Sequence, residues 1–165
     1  MARSKSAKTK LPDLGEPDGG VPDFSVEDSH AYYIYSLQSL SYAALAEALR
    51  PHDLNPPAWR VLANLQERDE VGVHDLARRT VVDVSNLSKL IIAMTANGLL
   101  RKKRSAADAR VALVYITDKG RRKFETALPA VRGVLDHNLA GFSDTERKTF
   151  LTYLRRMMKN AHAGG

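Results

Sequence analysis

A chain of 165 residues with a formal net charge of +6 has the length of one domain and suits an anionic partner. It contains no cysteine, which excludes disulfides, thiolate metal sites and thiol-based peroxide sensing. No apolar run is long enough to span a bilayer, and the basic N-terminus has no apolar signal-peptide core, so no membrane partner and a cytoplasmic location are expected.

Residues 1–24 are rich in Lys, Ser, Pro, Gly and Asp and lack periodicity, which reads as a disordered basic tail. Arg3, Lys5, Lys8 and Lys10 make it a solvated tail in the first instance, or an arm along DNA phosphates. A helix is expected over about 26–50, with Ser25 as a possible cap. Between Ser29 and Ala46 it carries no formal charge, His30 aside, and Tyr32, Tyr33, Ile34, Tyr35, Leu37, Leu40, Tyr42 and Leu45 spread around it. A helix apolar on most faces must be covered on most faces. A domain this small covers one side, so a second subunit, a ligand or both are expected on the rest. Pro51 breaks this helix. Asn55 then caps the next, with Pro56 at its first position and Ala58, Val61, Leu62 and Leu65 as its core stripe. Trp59 and Arg60 sit beside that stripe, and the single Trp either packs in the core or touches a ligand. Glu67 to Gly72 reads as a polar connection.

Val73–Thr80 is a short helix ending in Arg78-Arg79-Thr80. After Val81-Val82, Asp83 is the N-cap of another helix, whose Leu87, Leu90, Ile91 and Met94 form one apolar stripe. Asn97-Gly98 supplies a left-handed stop. Ser85, Asn86, Ser88 and Lys89 fall on other faces. Small polar and basic residues at an exposed helix N-terminus suit insertion into a DNA major groove. Arg101-Lys102-Lys103-Arg104 follows on a strand, and the return strand, Arg110 to Ile116, is apolar and β-branched enough to pack on the helices. The hairpin is therefore a wing, a basic tip on a buried base, able to reach a phosphate or the minor groove. Thr117 caps a long helix to about Ala140 with Pro129 as a kink site, and Ser143 with Glu146 forms a capping box for the last helix. Phe124, Leu128, Val131, Leu135 and Leu139 on one, and Phe150, Leu151, Leu154, Met157 and Met158 on the other, exceed what the small core covers. The self-complementary answer is a two-fold homodimer, matching a pseudo-palindromic site in double-stranded DNA.

Asp75-Leu76-Ala77, the helix Val84–Asn97, Gly98-Leu99-Leu100, the pair Asp108-x-Arg110 and the close Leu113-x-x-Ile116-Thr117-Asp118-Lys119-Gly120 resemble, in order and spacing, the core of the MarR family of transcription regulators. The resemblance covers roughly Asp28 to Ala161. It implies a mainly α fold with a small β-wing: a winged helix-turn-helix over about 54–117 and dimerisation helices over about 26–50 and 117–162, all within a domain of residues 25–165. Val81 stands where the family usually has glycine. A β-branched residue tolerates positive φ poorly, so the turn geometry there is left open.

The resemblance also places function on residues. Ser85, Asn86, Ser88 and Lys89 match groove-facing positions, and Val84 can touch a thymine methyl or simply pack. Asp108 is implied to hold Arg110, the foremost wing contact. Lys102, Lys103 and Arg104 are phosphate contacts or solvated charge, and Arg78 and Arg79 either grip the backbone or are ordinary exposed cations. Family members commonly lose DNA affinity when a small aromatic acid, a phenolic compound or its coenzyme A thioester enters a cleft beside the dimer platform. His30, Tyr33, Ser36, Tyr42, Trp59 and Arg60 are the candidate cleft residues. The first helix lacks the arginine that some relatives use against a carboxylate, so that cation falls to Arg60 or elsewhere. The expected function is a repressor of aromatic catabolism or efflux genes. A ligand-independent regulator and a metal-responsive one are the alternatives.

His30, His52, His74, His137 and His162 show no helical metal-site spacing. No nucleophile elbow or glycine-rich phosphate loop occurs, so no metal site, no cofactor and no enzyme activity are expected.

Overall fold

The computed structural model describes residues 25–105, 108 and 110–163, so the expectation for the basic tail lies outside the described residues. These residues fall into two compact units, one ending at Leu37 and the other beginning at Gln38.

Helix α1, His30–Leu49, starts within the first unit, four residues later than the expected start at Val26, and its residues from Gln38 on belong to the second. The Ser29 N–H donates to the Val26 carbonyl at 3.1 Å, which closes a turn instead of a helix. The polar run Glu27-Asp28-Ser29 explains the shift, because such residues compete for backbone bonds and favour caps over helix interiors. The Tyr32 and Tyr33 rings meet edge to face at 5.4 Å.

The second unit holds the core. Past a 3-10 turn at Arg50–His52, helix α2 spans Pro56–Glu67. Its start is as the sequence indicates: the Ala58 N–H donates to Asn55 Oδ1 at 2.9 Å, and Pro56 opens the helix. Ala58, Val61, Leu62 and Leu65 are buried. The connection after α2 is not only polar loop. Val71–Gly72 forms strand β1, paired antiparallel with Leu113–Val114 of a much later strand. Two residues are too few for alternation to register, so the strand was invisible to patterning.

Helices α3, Val73–Thr80, and α4, Val84–Ala96, make the helix-turn-helix pair. Between them Val81 adopts φ 52° and ψ 47°, the left-handed geometry that glycine usually supplies. Gly98, at φ 70°, follows α4 and is equally left-handed. Strands β2, Leu100–Arg104, and β3, Ala112–Ile116, pair antiparallel from Leu100 with Ile116 to Arg104 with Ala112. The sheet order is β1-β3-β2. The return strand starts two residues later than expected, because Arg110 and Val111 belong to the turn: the Val111 N–H donates to the Asp108 carbonyl at 2.9 Å. Only alternate residues of β3, Val114 and Ile116, are buried, as a sheet with one covered face requires. They join Leu76, Leu87, Ile91, Met94 and Leu100 in one core. Each fully buried Leu or Ile contributes on the order of 1.5–3 kcal/mol.

Helix α5 spans Asp118–Asn138 and includes Pro129. The Gly120 N–H donates to the capping Thr117 Oγ1 at 3.1 Å, and Thr117 Oγ1 in turn donates to the Gly98 carbonyl at 2.7 Å. Gly120 is required here, since a Cβ would lie 2.3 Å from the Leu99 carbonyl oxygen. Helix α6, Asp144–Ala163, starts at the expected capping box, with the Ser143 N–H donating to the Glu146 carboxylate at 2.8 Å. No described residue of α6 is buried. No helix among the described residues is long and apolar enough to cross a membrane.

Candidate nucleic-acid interface

The first turns of α4 are organised by Asp83. Its carboxylate accepts the N–H groups of Ser85 at 2.8 Å and Asn86 at 3.2 Å. The Ser85 hydroxyl, then the Asn86 and Ser85 backbone, hold this carboxyl below its ordinary value of 3.8. A negative charge therefore sits at the positive end of the helix dipole. Ser85 Oγ donates to Asp83 at 2.5 Å and Ser88 Oγ to the Val84 carbonyl at 2.8 Å. Both hydroxyl protons are spent locally, which leaves their oxygens as acceptors. Asn86 and Lys89 are exposed, and among the described residues nothing binds their side chains. Val84 is exposed as well.

On α3, Arg78 pairs with Asp75 at 2.6 Å, and Arg79 is exposed. In the wing, Lys102, Lys103, Arg104 and Arg110 line one concave surface with Ala112, enclosing about 650 Å³. Cations gathered without an anion in the lining create a positive potential that a polyanion would relieve. Arg101, the remaining member of the basic run, turns away: its guanidinium carbon lies 4.8 Å from the centre of the Tyr115 ring. The Asp108 carboxylate accepts the Arg110 backbone N–H at 2.9 Å. What it holds is the backbone that carries the arginine.

A second concavity, of about 450 Å³, is lined by Tyr42, Asn55, Pro57, Arg60, Val81, Val82, Asp83, Asn86 and Leu90. It brings together Tyr42 and Arg60 from the expected effector set. Trp59 is not in the lining and stacks on Phe124, with ring centres 5.6 Å apart. Trp59 Nε1 and Arg60 Nε are buried with no hydrogen-bond partner among the described residues. His30, Tyr33 and Ser36 belong to the first unit, where the two aromatic-ring residues are exposed and Ser36 half-buried. Val81, Val82, Asp83 and Leu90 were not singled out as cavity residues from the sequence. They carry no local signal for that role, because the helix pair meets α2 only through tertiary packing.

Comparison with known proteins gives a consistent picture. Residues 52–111 match the sequence model of the MarR family. The chain is similar to the HTH-type transcriptional repressor IacR of Pseudomonas putida, 25% identical over 129 residues, which covers 78% of this chain and 77% of that protein. Among crystal structures it resembles a MarR family transcriptional regulator from Silicibacter pomeroyi, with a TM-score of 0.77 and 26% identity, covering 86% of this chain and 95% of the other. The fold also matches CouR from Rhodococcus jostii bound to p-coumaroyl-CoA, with a TM-score of 0.73 and 21% identity over 81% of this chain and 94% of the other. CouR is also known bound to a 23-mer DNA duplex.

Proposed function

From the premise that this chain belongs to the MarR family of transcriptional regulators, we propose that it is a homodimeric repressor released from DNA by a small aromatic acid or its coenzyme A thioester. The reading assigns base contacts to Asn86 and Lys89, with Val84, Ser85 and Ser88 as acceptor or apolar neighbours. It assigns phosphate contacts to Arg79, Lys103, Arg104 and Arg110, and to Arg78 once freed from Asp75. Asp108 acts by fixing the chain at Arg110.

One observation carries the ligand part. The cavity and the reading helix share residues: Asp83 and Asn86 line the concavity that also contains Tyr42 and Arg60. An occupant there touches the N-cap that organises the groove-facing turns. Arg60, with a buried N–H lacking a partner, offers a cation and a donor to a carboxylate. Tyr42 and Leu90 offer apolar surface to a ring. CouR, of the same fold, is known with an aromatic thioester and with DNA, which supports this pairing of ligand class and target.

A ligand shifts the equilibrium only by its differential affinity for the two arrangements, and a 100-fold loss of DNA affinity needs about 2.7 kcal/mol of coupling. The test is a panel of benzoic, cinnamic and phenolic acids and their thioesters. Some members should raise the melting temperature and weaken DNA binding, and Arg60→Gln should blunt the response to free acids first. A panel with no effect on melting or on DNA affinity contradicts the ligand reading.

A further inference from the structure

One polar network in the second unit lies outside both the wing surface and the cavity. Arg121, just past Gly120 in α5, reaches back to the end of α2 and beyond. Its Nη1 donates to Gln66 Oε1 at 3.0 Å and its Nη2 to Asp69 Oδ2 at 2.9 Å. The other Asp69 oxygen accepts the Ile116 N–H at 3.0 Å and the Glu70 N–H at 3.1 Å. Ile116 is the last residue of β3 and stands opposite Leu100, the first of β2. Glu70 takes φ 63°, a left-handed geometry in a residue with a side chain. Burial first, then the neighbouring Glu70 carboxylate, pushes the Tyr115 hydroxyl above its ordinary value of 10.0. The Tyr115 ring in turn carries the Arg101 guanidinium. Hydrogen bonds therefore link α5, through Asp69 in the α2–β1 connection, to the Ile116 end of β3, next to Tyr115 at the root of the wing.

Stability alone is a poor explanation for this arrangement. Side chains of Arg121 and Asp69 are 36% and 32% exposed, and an ion pair so open to solvent stabilises little. Glu70 adds backbone strain of its own. What the network does supply is direction. Asp69 ties the end of β3 to α5, and Tyr115 holds the first wing cation out of the concave surface.

We propose that Asp69 and Arg121, acting through the Ile116 backbone at the end of β3, are positioning residues for DNA binding that set the angle of the wing against α5. The wing cations then meet the DNA backbone while α4 occupies the groove. The proposal rests on the DNA-binding reading above. It implies that a displacement of α5 tilts the wing directly.

The test uses the full chain and a duplex selected by the wild-type protein from a random pool. Three quantities are measured for the wild type, Arg121→Gln and Asp69→Asn: melting temperature, the slope of log affinity against log salt, and the effect of adding Arg110→Ala. Asp69→Asn keeps a side-chain oxygen for the Ile116 and Glu70 N–H groups and removes only the charge that Arg121 meets, so it folds even where Arg121→Gln is weakened. A misaligned wing loses phosphate contacts, and the slope should shrink by about 1–2. Arg110→Ala should cost about tenfold in affinity in the wild type and less than about threefold in either variant, because the contacts are no longer independent. Variants that melt lower yet keep the wild-type slope and the full Arg110→Ala effect overturn the proposal, since the network is then only structural. A wild type that selects no duplex overturns the DNA reading and this proposal with it. A wild type that binds, beside variants with unchanged slopes, overturns this proposal alone.

Discussion

Val81 shows how a single residue can be strained and still decide a fold. A β-branched side chain in the left-handed region costs about 1–2 kcal/mol, and here it recovers nothing by burial, since Val81 is 78% exposed. The turn holds because the residues beyond it over-determine it: the Val82 N–H donates to the Ala77 carbonyl at 3.1 Å, and Thr80 is buried with its hydroxyl on the Leu76 carbonyl. Replacing Val81 by glycine should therefore stabilise the chain by about 0.5–1 kcal/mol, after allowing for the greater unfolded-state entropy of glycine. Chemical denaturation checks this, and a loss of stability would mean that the side chain makes a contact worth more than its strain. Val81 also lines the cavity, so the same substitution opens that wall. In the sequence, its β-branched side chain was the reason to leave the turn open. The packed residues on either side outweigh that local preference.

At the scale of elements, legibility followed the range of the interaction. Caps are local, and Asn55, Asp83, Thr117 and the Ser143–Glu146 pair all accept the bonds that their types suggest. Strand β1 and the Asp69–Arg121 bridge depend on partners far away along the chain, and nothing in the local pattern announces them. The wing was read as a hairpin with a basic tip, yet the diversion of Arg101 to Tyr115 depends on strand register. The cavity was half legible. Tyr42 and Arg60 were named, but the wall formed by the start of α4 follows from how α2 meets the helix pair. The Asp83 cap carries its own prediction. Its folded-state pKa is depressed, so the stabilisation is full above the unfolded value near 3.8 and fades as pH falls through the lower, folded one. The wild type should exceed Asp83→Asn in stability at neutral pH, and the difference should vanish in strong acid. A gap that stays constant with pH would show that the charge contributes nothing, leaving only the hydrogen bonds that Asn can also make.

The whole molecule presents apolar surface that one chain leaves in water. Tyr35 is 71% exposed on α1, and Met158 is 59% exposed on α6. Leu37, Leu40, Leu151 and Tyr153 are each about half exposed as well. Large apolar side chains exposed in this way mark surface that a partner covers. A second copy of the chain covers it in the proposed dimer and sets two α4 helices and two wings on one side of a duplex. Two-fold symmetry in the protein then calls for two half-sites, about one helical turn apart. The most direct measurement is sedimentation of the full chain with and without a duplex selected from a random pool, in rising salt. The expected result is a dimer at micromolar concentration, two chains on each duplex, and affinity falling steeply as salt increases. A lone protomer, with no preference for the selected duplex over random competitor DNA, would contradict it.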